Sequence, residues 1–400
     1  MRNLFSGCSK LTSLNLSNFN IGNAVTWDLL TGCKGLKSLN LSASLLYKIQ
    51  DNGCTGIGTA TAPCTLIYPT TEHPTFTEVT PKYVRWKNGY FTCANIKPYA
   101  CLDGTSLIFY YDDFYTVRQG ATDVYDMNTA SNDPGWYASR TNITSVTFNS
   151  SFANARPISC YKWFYGMSIA AISGLNYLNT SNVTNMYGMF ALCQDLGSLD
   201  VSNFNTEKVT NMESMFAGLS VIKSLDVSSF NTTRVTNMQN MFKNCSQLIS
   251  LDLSNFTISS STNTSGMLND MLGLQTLTLS SSLVNYLNSN ACTHIGTNIY
   301  GTLTTPCTLN YPAGTVIEKE ATGAGWFLWR GGYFTSSFLP GDVNGDEKVT
   351  IADVTALVNI ILGKDDGPTP MYNHDAADVN ADSKVTIADV TALVNVILGK

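Results

Sequence analysis

Histidine is nearly absent from this 400-residue chain, which carries only His73, His294 and His374. Against eleven cysteines, so few imidazoles leave no mixed thiolate–imidazole zinc site to expect. None of the three stands near a Gly-x-Ser-x-Gly motif, so no serine nucleophile with its base is expected either. Charge is also sparse, at 13 % of residues, and there is no basic excess to meet nucleic acid. No apolar run approaches the roughly eighteen residues that a membrane span needs. The opening Met-Arg-Asn-Leu-Phe-Ser-Gly-Cys lacks the apolar stretch of about seven residues that a secretory signal requires.

The charge that is present is unevenly placed. Residues 340–400 hold ten acidic and four basic side chains, a balance of −6. The other 339 residues hold nineteen of each sign and sum to zero. All the net acidity therefore lies at the C-terminal end, where a divalent cation would neutralise it.

Internal repetition is the strongest organising signal. Val-Thr-Asn-Met recurs at Val183–Met186, Val209–Met212 and Val235–Met238, shifted by 26 residues each time. In the same frame stand Met189-Phe190, Met215-Phe216 and Met241-Phe242, then Leu199-Asp200, Leu225-Asp226 and Leu251-Asp252. Leu277 continues the leucine column, and Phe204, Phe230 and Phe256 form an aromatic one. Each unit is expected to contribute a short alternating strand, Ser-Leu-Asp-Val-Ser, followed by a turn of helix. One unit alone cannot bury such a face, whereas units stacked about 4.8 Å apart make a continuous core. Cys193 and Cys245 share a column with Leu219, which marks it as apolar. Residues Asn3–Phe19 fit the frame of Asn240–Phe256, so that Met1 falls on the core position of Met238. The chain is accordingly expected to open inside a repeat, with an upstream part and its export signal lying beyond it.

These units resemble the BspA-like leucine-rich repeats, the 26-residue repeat of bacterial surface proteins, over residues 1–50 and 165–285. The resemblance implies a secreted or surface-attached, non-catalytic interaction protein whose solenoid meets a host protein or a glycan.

A larger module occurs twice. Residues 52–91 and 290–334 share Pro-Cys-Thr-Leu-x-Tyr-Pro and a closing Trp-x-x-Gly-Tyr-Phe, and read as β-rich caps. Cys54 with Cys64, and Cys292 with Cys307, fall at matched positions. They are read as local disulfides of an oxidising compartment, or as pairs of free buried thiols. Between the copies, Ser106–Tyr111 and Thr144–Phe148 read as strands and Asn132–Gly135 as a loop.

From Gly341 the texture changes. Asp342, Asn344, Asp346, Thr350 and Asp353 place oxygen donors at positions one, three, five, nine and twelve of a loop, with the Lys348 carbonyl at seven. Asp378, Asn380, Asp382, Lys384, Thr386 and Asp389 repeat the arrangement 36 residues on. Calcium takes six to eight hard oxygens at about 2.3–2.6 Å, and this spacing wraps them around one ion per loop, two in all. After each loop, Val354, Leu357, Val358, Ile361 and Leu362, and then Val390, Leu393, Val394, Ile397 and Leu398, recur at helical spacing. No comparable helix is expected before either loop.

This duplicated loop and exiting helix is similar to the type I dockerin. That family implies two calcium ions, the twelve ligand positions just named and a cohesin-like partner, often within a polysaccharide-degrading assembly. The partner-reading positions fall on Ile351, Ala352, Val358, Asn359, Ile387, Ala388, Val394 and Asn395. Glu347 and Ser383 stand where the family favours glycine at the sixth position, and Ala381 where it does so at the fourth, which reduces turn freedom. Ile-Ala in place of hydroxyl residues implies a more apolar partner. Near-identical halves imply that either helix can face it.

Other chemistry is thin. Asp112-Asp113 would point to opposite faces of a strand and could not flank a glycosidic bond. Trp86, Tyr90, Tyr110, Tyr111, Trp136 and Trp163 could stack sugars or simply close cores. Asp200, Asp226 and Asp252 should form an exposed ladder, repelling by roughly 1 kcal/mol per neighbouring pair. Solvent screens them, or the face meets a cation or a basic partner.

The sequence thus reads as an α+β chain that is not an enzyme. Leucine-rich repeats occupy 1–50 and 165–285, β-rich caps 51–99 and 286–338, a β-rich leader 100–164, and a small all-α calcium-binding dockerin 339–400. It is expected at the bacterial surface or outside the cell.

Overall fold

The 26-residue frame becomes a stack of coils. A computed structural model describes residues 2–399 apart from 23, 25, 70, 81–82, 94–95, 120–121, 298–304, 313–314, 316, 318–319, 324–325, 337–340, 345–348, 365–371, 373, 381 and 383. The chain forms two compact units, Met1–Met127 with Ser145–Pro157 and Ser173–Asn179, and Asn128–Thr144 with Ile158–Ile172 and Thr180–Lys400.

In the second unit, single parallel bridges join Ser159, Asn185, Asn211, Asn237 and Asn263, one residue per coil. Each of the last four asparagines also accepts, at Oδ1, the N–H of the residue two further on, at 2.9–3.1 Å. The flanking Val183, Met186, Val209, Met212, Val235 and Met238 are buried, so the Val-Thr-Asn-Met motif alternates core contacts with a hydrogen-bonded rung. Inside, the rings of Phe164, Phe190, Phe216 and Phe242 stack at 5.4–5.9 Å between centroids. Thr180, Thr206 and Thr232 are buried hydroxyls that bridge coils. Thr206 Oγ1, for example, accepts the Asn231 N–H at 2.7 Å and donates to the Asn231 carbonyl at 3.0 Å. A polar atom inside the core is tolerated because both its donor and its acceptor capacity are used.

The expected turn of helix does not form in the repeats. Lys162, Gly188, Ser214, Asn240 and Gly266 take positive φ, and so do Gly166, Leu192, Gly218, Asn244 and Asp270 four residues later. Two left-handed residues per coil interrupt right-handed helical geometry and curl the chain into tight turns. Nor does every unit form a strand. Ser250–Leu253 and Thr276–Leu279 pair in a ladder, while 198–202 and 224–228 carry none. The architecture is a β-solenoid of stacked coils with few helices.

Both copies of the larger module close a stack in the same way. In the first unit Ser13–Leu16, Ser38–Leu41, Cys64–Ile67 and Gly89–Cys93 run parallel, with Leu14, Leu39 and Leu66 in register. Val84–Trp86 and Glu78–Val79 then add antiparallel. In the second, Ser250–Leu253, Thr276–Leu279, Cys307–Asn310 and Gly332–Ser336 run parallel, followed by antiparallel Trp326–Trp329 and Glu320–Gly323. A hairpin that turns the chain back removes the growing parallel edge, which is what a cap must do. Each sheet also holds one short helix after its second strand, Ala43–Lys48 and Ser281–Tyr286, N-capped by Ser42 and Ser280. The first unit further contains an antiparallel pair, Lys97–Asp103 and Ser106–Asp112, with Ser145–Phe148 parallel to the latter.

Of the two readings of the matched cysteines, disulfides or free buried thiols, the structure carries the second, with all eleven cysteines as free thiols. Cys54 follows Phe5 and Leu30 in one coil column, and Cys292 follows Phe242 and Leu268 in another, so each fills an apolar core position. Their neighbours Cys64 and Cys307 open strands and turn their thiols to the carbonyls of Thr65 and Thr308, at 3.7 and 3.6 Å. Burial pushes the Cys64 and Cys307 thiols up to about 12.

Candidate metal centre

Residues 341–399 have a core of their own, formed by Val343, Ala356, Leu357, Ala377 and Leu393. Around it pack Val349, Val354, Ile361, Val385, Val390 and Ile397. Two eleven-residue helices supply most of this, Ile351–Ile361 and Ile387–Ile397. Gly341 has φ +93°, and a Cβ there would lie 2.8 Å from Leu393 Cδ1, so the module admits only glycine at its entry. One further turn of helix, His374–Ala377, precedes the second loop, far shorter than the helices that follow the loops.

The loops are held by their own last residue. Thr350 caps the first long helix, accepting the Ala352 N–H at Oγ1, and Asp353 completes a capping box by accepting the Thr350 N–H at 2.7 Å. The other oxygen of Asp353 accepts the Asn344 N–H at 3.0 Å, nine residues back. The second loop repeats this geometry, with Asp389 accepting the Thr386 N–H at 2.8 Å and the Asn380 N–H at 3.2 Å. Asp353 and Asp389 are both fully buried. One carboxylate therefore starts the helix and closes the loop.

In the second loop carboxylate oxygens of Asp378, Asp382 and Asp389 lie within 4.8 Å of one another. Asp378 and Asn380 accept the Asp382 N–H at 3.0 and 2.9 Å, and Asp382 accepts the Lys384 N–H at 3.0 Å. Three anions this close repel unless a cation lies between them. All donors are hard oxygens, so the set fits calcium and not a thiolate- or imidazole-seeking metal. Asp378, Asn380, Asp382, the Lys384 carbonyl and Asp389 would hold such an ion, and its charge would supply the loop's missing neutralisation. The Thr386 hydroxyl lies in the cap, 3.4 Å from Asp389 Oδ2. In the first loop Asp342, Asn344, Thr350 and Asp353 occupy equivalent places, while Asp346 and Lys348 lie outside the described residues.

Of the expected partner-facing positions, Ile351 and Ile387 are 72 % and 71 % exposed, an unusual state for isoleucine in the first turn of a helix. Ala352, Ala388 and Asn395 are exposed too, whereas Val358, Asn359 and Val394 are half-buried. Leu362, Val396 and Leu398 are also exposed. Helical spacing assigned both leucines to the inner face, but each ends its helix as the C-cap, where the chain leaves the core.

The remaining candidates disperse. Trp86, Trp136 and Trp163 are fully buried, and Arg85 and Arg118 cover the rings of Tyr90 and Tyr110, so these aromatics close cores and surfaces. Tyr111 is half-buried. Asp112 pairs with Arg118 and accepts the Tyr99 hydroxyl at 2.6 Å, while Asp113 accepts the Tyr68 hydroxyl at 2.8 Å. Asp200, Asp226 and Asp252 do line one exposed groove. Hydrogen bonds from Ser202 and Ser228 hold the Asp200 and Asp226 carboxyls below the usual range.

Fold and site together define a stacked-coil solenoid chain ending in a duplicated loop-and-helix module whose second loop gathers hard-oxygen donors. Residues 340–398 match the Dockerin type I domain, and residues 158–279 match the family described as Mycoplasma protein of unknown function, DUF285. No curated protein and no solved structure matches the chain. Type I dockerin domains bind calcium and serve as cohesin-binding attachment modules, and neither matched module is catalytic. Among the described residues no helix is long and apolar enough to cross a membrane.

Proposed function

We propose that this chain is a non-catalytic, extracellular or surface-held interaction protein that attaches to a cohesin-like partner through two bound calcium ions. The observation that carries this reading is the convergence of Asp378, Asp382 and Asp389, locked by a capping box in a segment matching the dockerin family. The ligand sets are Asp342, Asn344, Asp346, Lys348, Thr350 and Asp353 in the first loop, and Asp378, Asn380, Asp382, Lys384, Thr386 and Asp389 in the second. The coils at 1–50 and 165–285 act as BspA-like leucine-rich recognition segments. Residues 51–99 and 286–338 cap them, 100–164 leads into the second stack, and 339–400 forms an essentially helical docking module.

The ion acts on the partner indirectly. By neutralising the loop carboxylates it keeps both helix starts in place, and Ile351-Ala352 and Ile387-Ala388 then present two equivalent apolar corners. Either corner can engage the partner, with the module turned by half a revolution. Attachment of this kind suits a component of a polysaccharide-degrading complex, in which the solenoid supplies recognition and not hydrolysis.

Binding of the full chain to an immobilised cohesin, with calcium and then with EDTA, tests the proposal. Binding should vanish in chelator and return with calcium. Ile351→Asp or Ile387→Asp alone should leave binding largely intact, and the double change should abolish it. Binding that survives EDTA, or no binding to any cohesin tried, would overturn the attachment reading. Full loss from a single change would overturn the two-orientation part.

A further inference from the structure

The coils of the second unit carry an outward column that the docking module does not explain. It reads Tyr161, Tyr187, Glu213, Gln239 and Ser265, one residue per coil, and beside it runs the asparagine column. The Tyr161 and Tyr187 rings stack at 4.8 Å and 15°, and Tyr137 and Tyr165 lie nearby at 6.0 Å and 46° to each other. Lys162 Nζ sits over the rings of Tyr137, Tyr161 and Tyr165 at 4.8–5.4 Å and donates to Asp133 at 2.9 Å. All four tyrosines are half-buried, and none of their hydroxyls has a partner among the described residues. Further along, Asn237 donates to Glu213 at 2.7 Å and Asn263 to Gln239 at 3.0 Å, which sets these side chains in a fixed row.

Three properties of this stripe narrow its ligand. Its phenols are already ordered by ring stacking and by the enclosed lysine, so contact with them freezes little further motion. Of its two cations, Lys162 is neutralised by Asp133 and Arg140 lies over the Tyr137 ring at 4.2 Å, donating to the Tyr137 carbonyl at 3.0 Å, while Glu213 adds a carboxylate, so the stripe gathers no cluster of cations for phosphate or nucleic acid. Its polar groups are phenol hydroxyls, amides and one carboxylate, the set that exchanges hydrogen bonds with hydroxyl groups. Lys162 also occupies a left-handed position that the following coils give to Gly188, Ser214, Asn240 and Gly266, so a strained backbone holds the cation among the rings.

We propose that this tyrosine–amide stripe binds a neutral polysaccharide. The apolar edges of successive sugar rings lie against Tyr161, Tyr187 and Tyr165, and their hydroxyls meet the phenols, Asn211 and Glu213. This site is separate from the calcium module and should work without calcium.

Affinity electrophoresis of the full chain through gels containing hydroxyethyl cellulose, xylan or galactomannan, all in EDTA, tests it. At least one polymer should retard the chain. Tyr161→Ala with Tyr187→Ala should weaken that interaction about tenfold or more, the size of a lost binding hot spot. Tyr161→Phe with Tyr187→Phe, which keeps the ring stack and removes only the hydroxyls, should weaken it several-fold while leaving the melting temperature unchanged. Retardation by none of the three polymers, or retardation that both double variants preserve, would overturn the proposal. Because chelator is present throughout, neither outcome bears on attachment through calcium.

Discussion

Leu192 occupies a left-handed backbone position, φ 60°, and is 40 % exposed, where the next coils place Gly218 and Asn244. Its half-exposed side chain covers Gly218 of the next coil, a contact too small to offset a backbone cost of about 1–2 kcal/mol. Leu192→Asn should therefore stabilise the chain by about 1 kcal/mol, seen as a higher urea midpoint at unchanged slope. The opposite holds for Thr206, whose hydroxyl satisfies both backbone groups of Asn231. Thr206→Val keeps the shape but strands a buried donor and acceptor, and should cost about 2–4 kcal/mol, with Thr206→Ser nearly neutral. Asp113 gives a pH-dependent case. Burial raises its folded pKa above the unfolded value, so the fold favours the protonated form. That contribution is complete below the unfolded pKa and is lost as pH rises through the folded one. Asp113→Asn keeps an acceptor for Tyr68 without an ionisation to resist. Its melting temperature should gain on the parent chain between about pH 4 and pH 7. A gap that narrows over that range would contradict this assignment. None of these positions stands out in the sequence. Left-handed geometry falls on Lys, Ser, Asn, Leu and Asp as well as Gly, and an interior threonine looks like any surface one.

At the scale of elements, legibility divides along a physical line. The columns of the repeat, Val209, Met212, Met215 and Phe216 among them, follow from periodicity because burial depends only on which residues recur. Whether a segment becomes strand, helix or turn depends on hydrogen bonds that the pattern does not carry. The expected helical turn gave way to paired left-handed residues, and in the second unit the expected strand formed a ladder only in the last coils, Ser250–Leu253 and Thr276–Leu279. The C-terminal helices were legible because cap, period and loop agree at Thr386, Asp389 and Leu393. The dual duty of Asp389 leads to a contrast. In EDTA, Asp389→Ala should lower helix content and cost about 1 kcal/mol through the lost cap, while Asp382→Ala should change little. With calcium present, both should lose stability relative to the parent, followed by circular dichroism on melting. Equal effects in EDTA would show that the cap does not depend on Asp389.

Over the whole molecule, the sequence reveals a duplicated stack-and-cap arrangement, and the two sheets repeat it strand for strand. The matched cysteines mark matched core positions, which a thiol fills as an apolar group. The concentration of net negative charge in residues 340–400 has a single structural sense if the loops are meant to hold cations. Titration of calcium into the full chain by isothermal calorimetry tests this most directly. The account predicts two ions per chain, one after Asp389→Ala and one after Asp353→Ala. No measurable uptake, or an unaltered count in both variants, would contradict it.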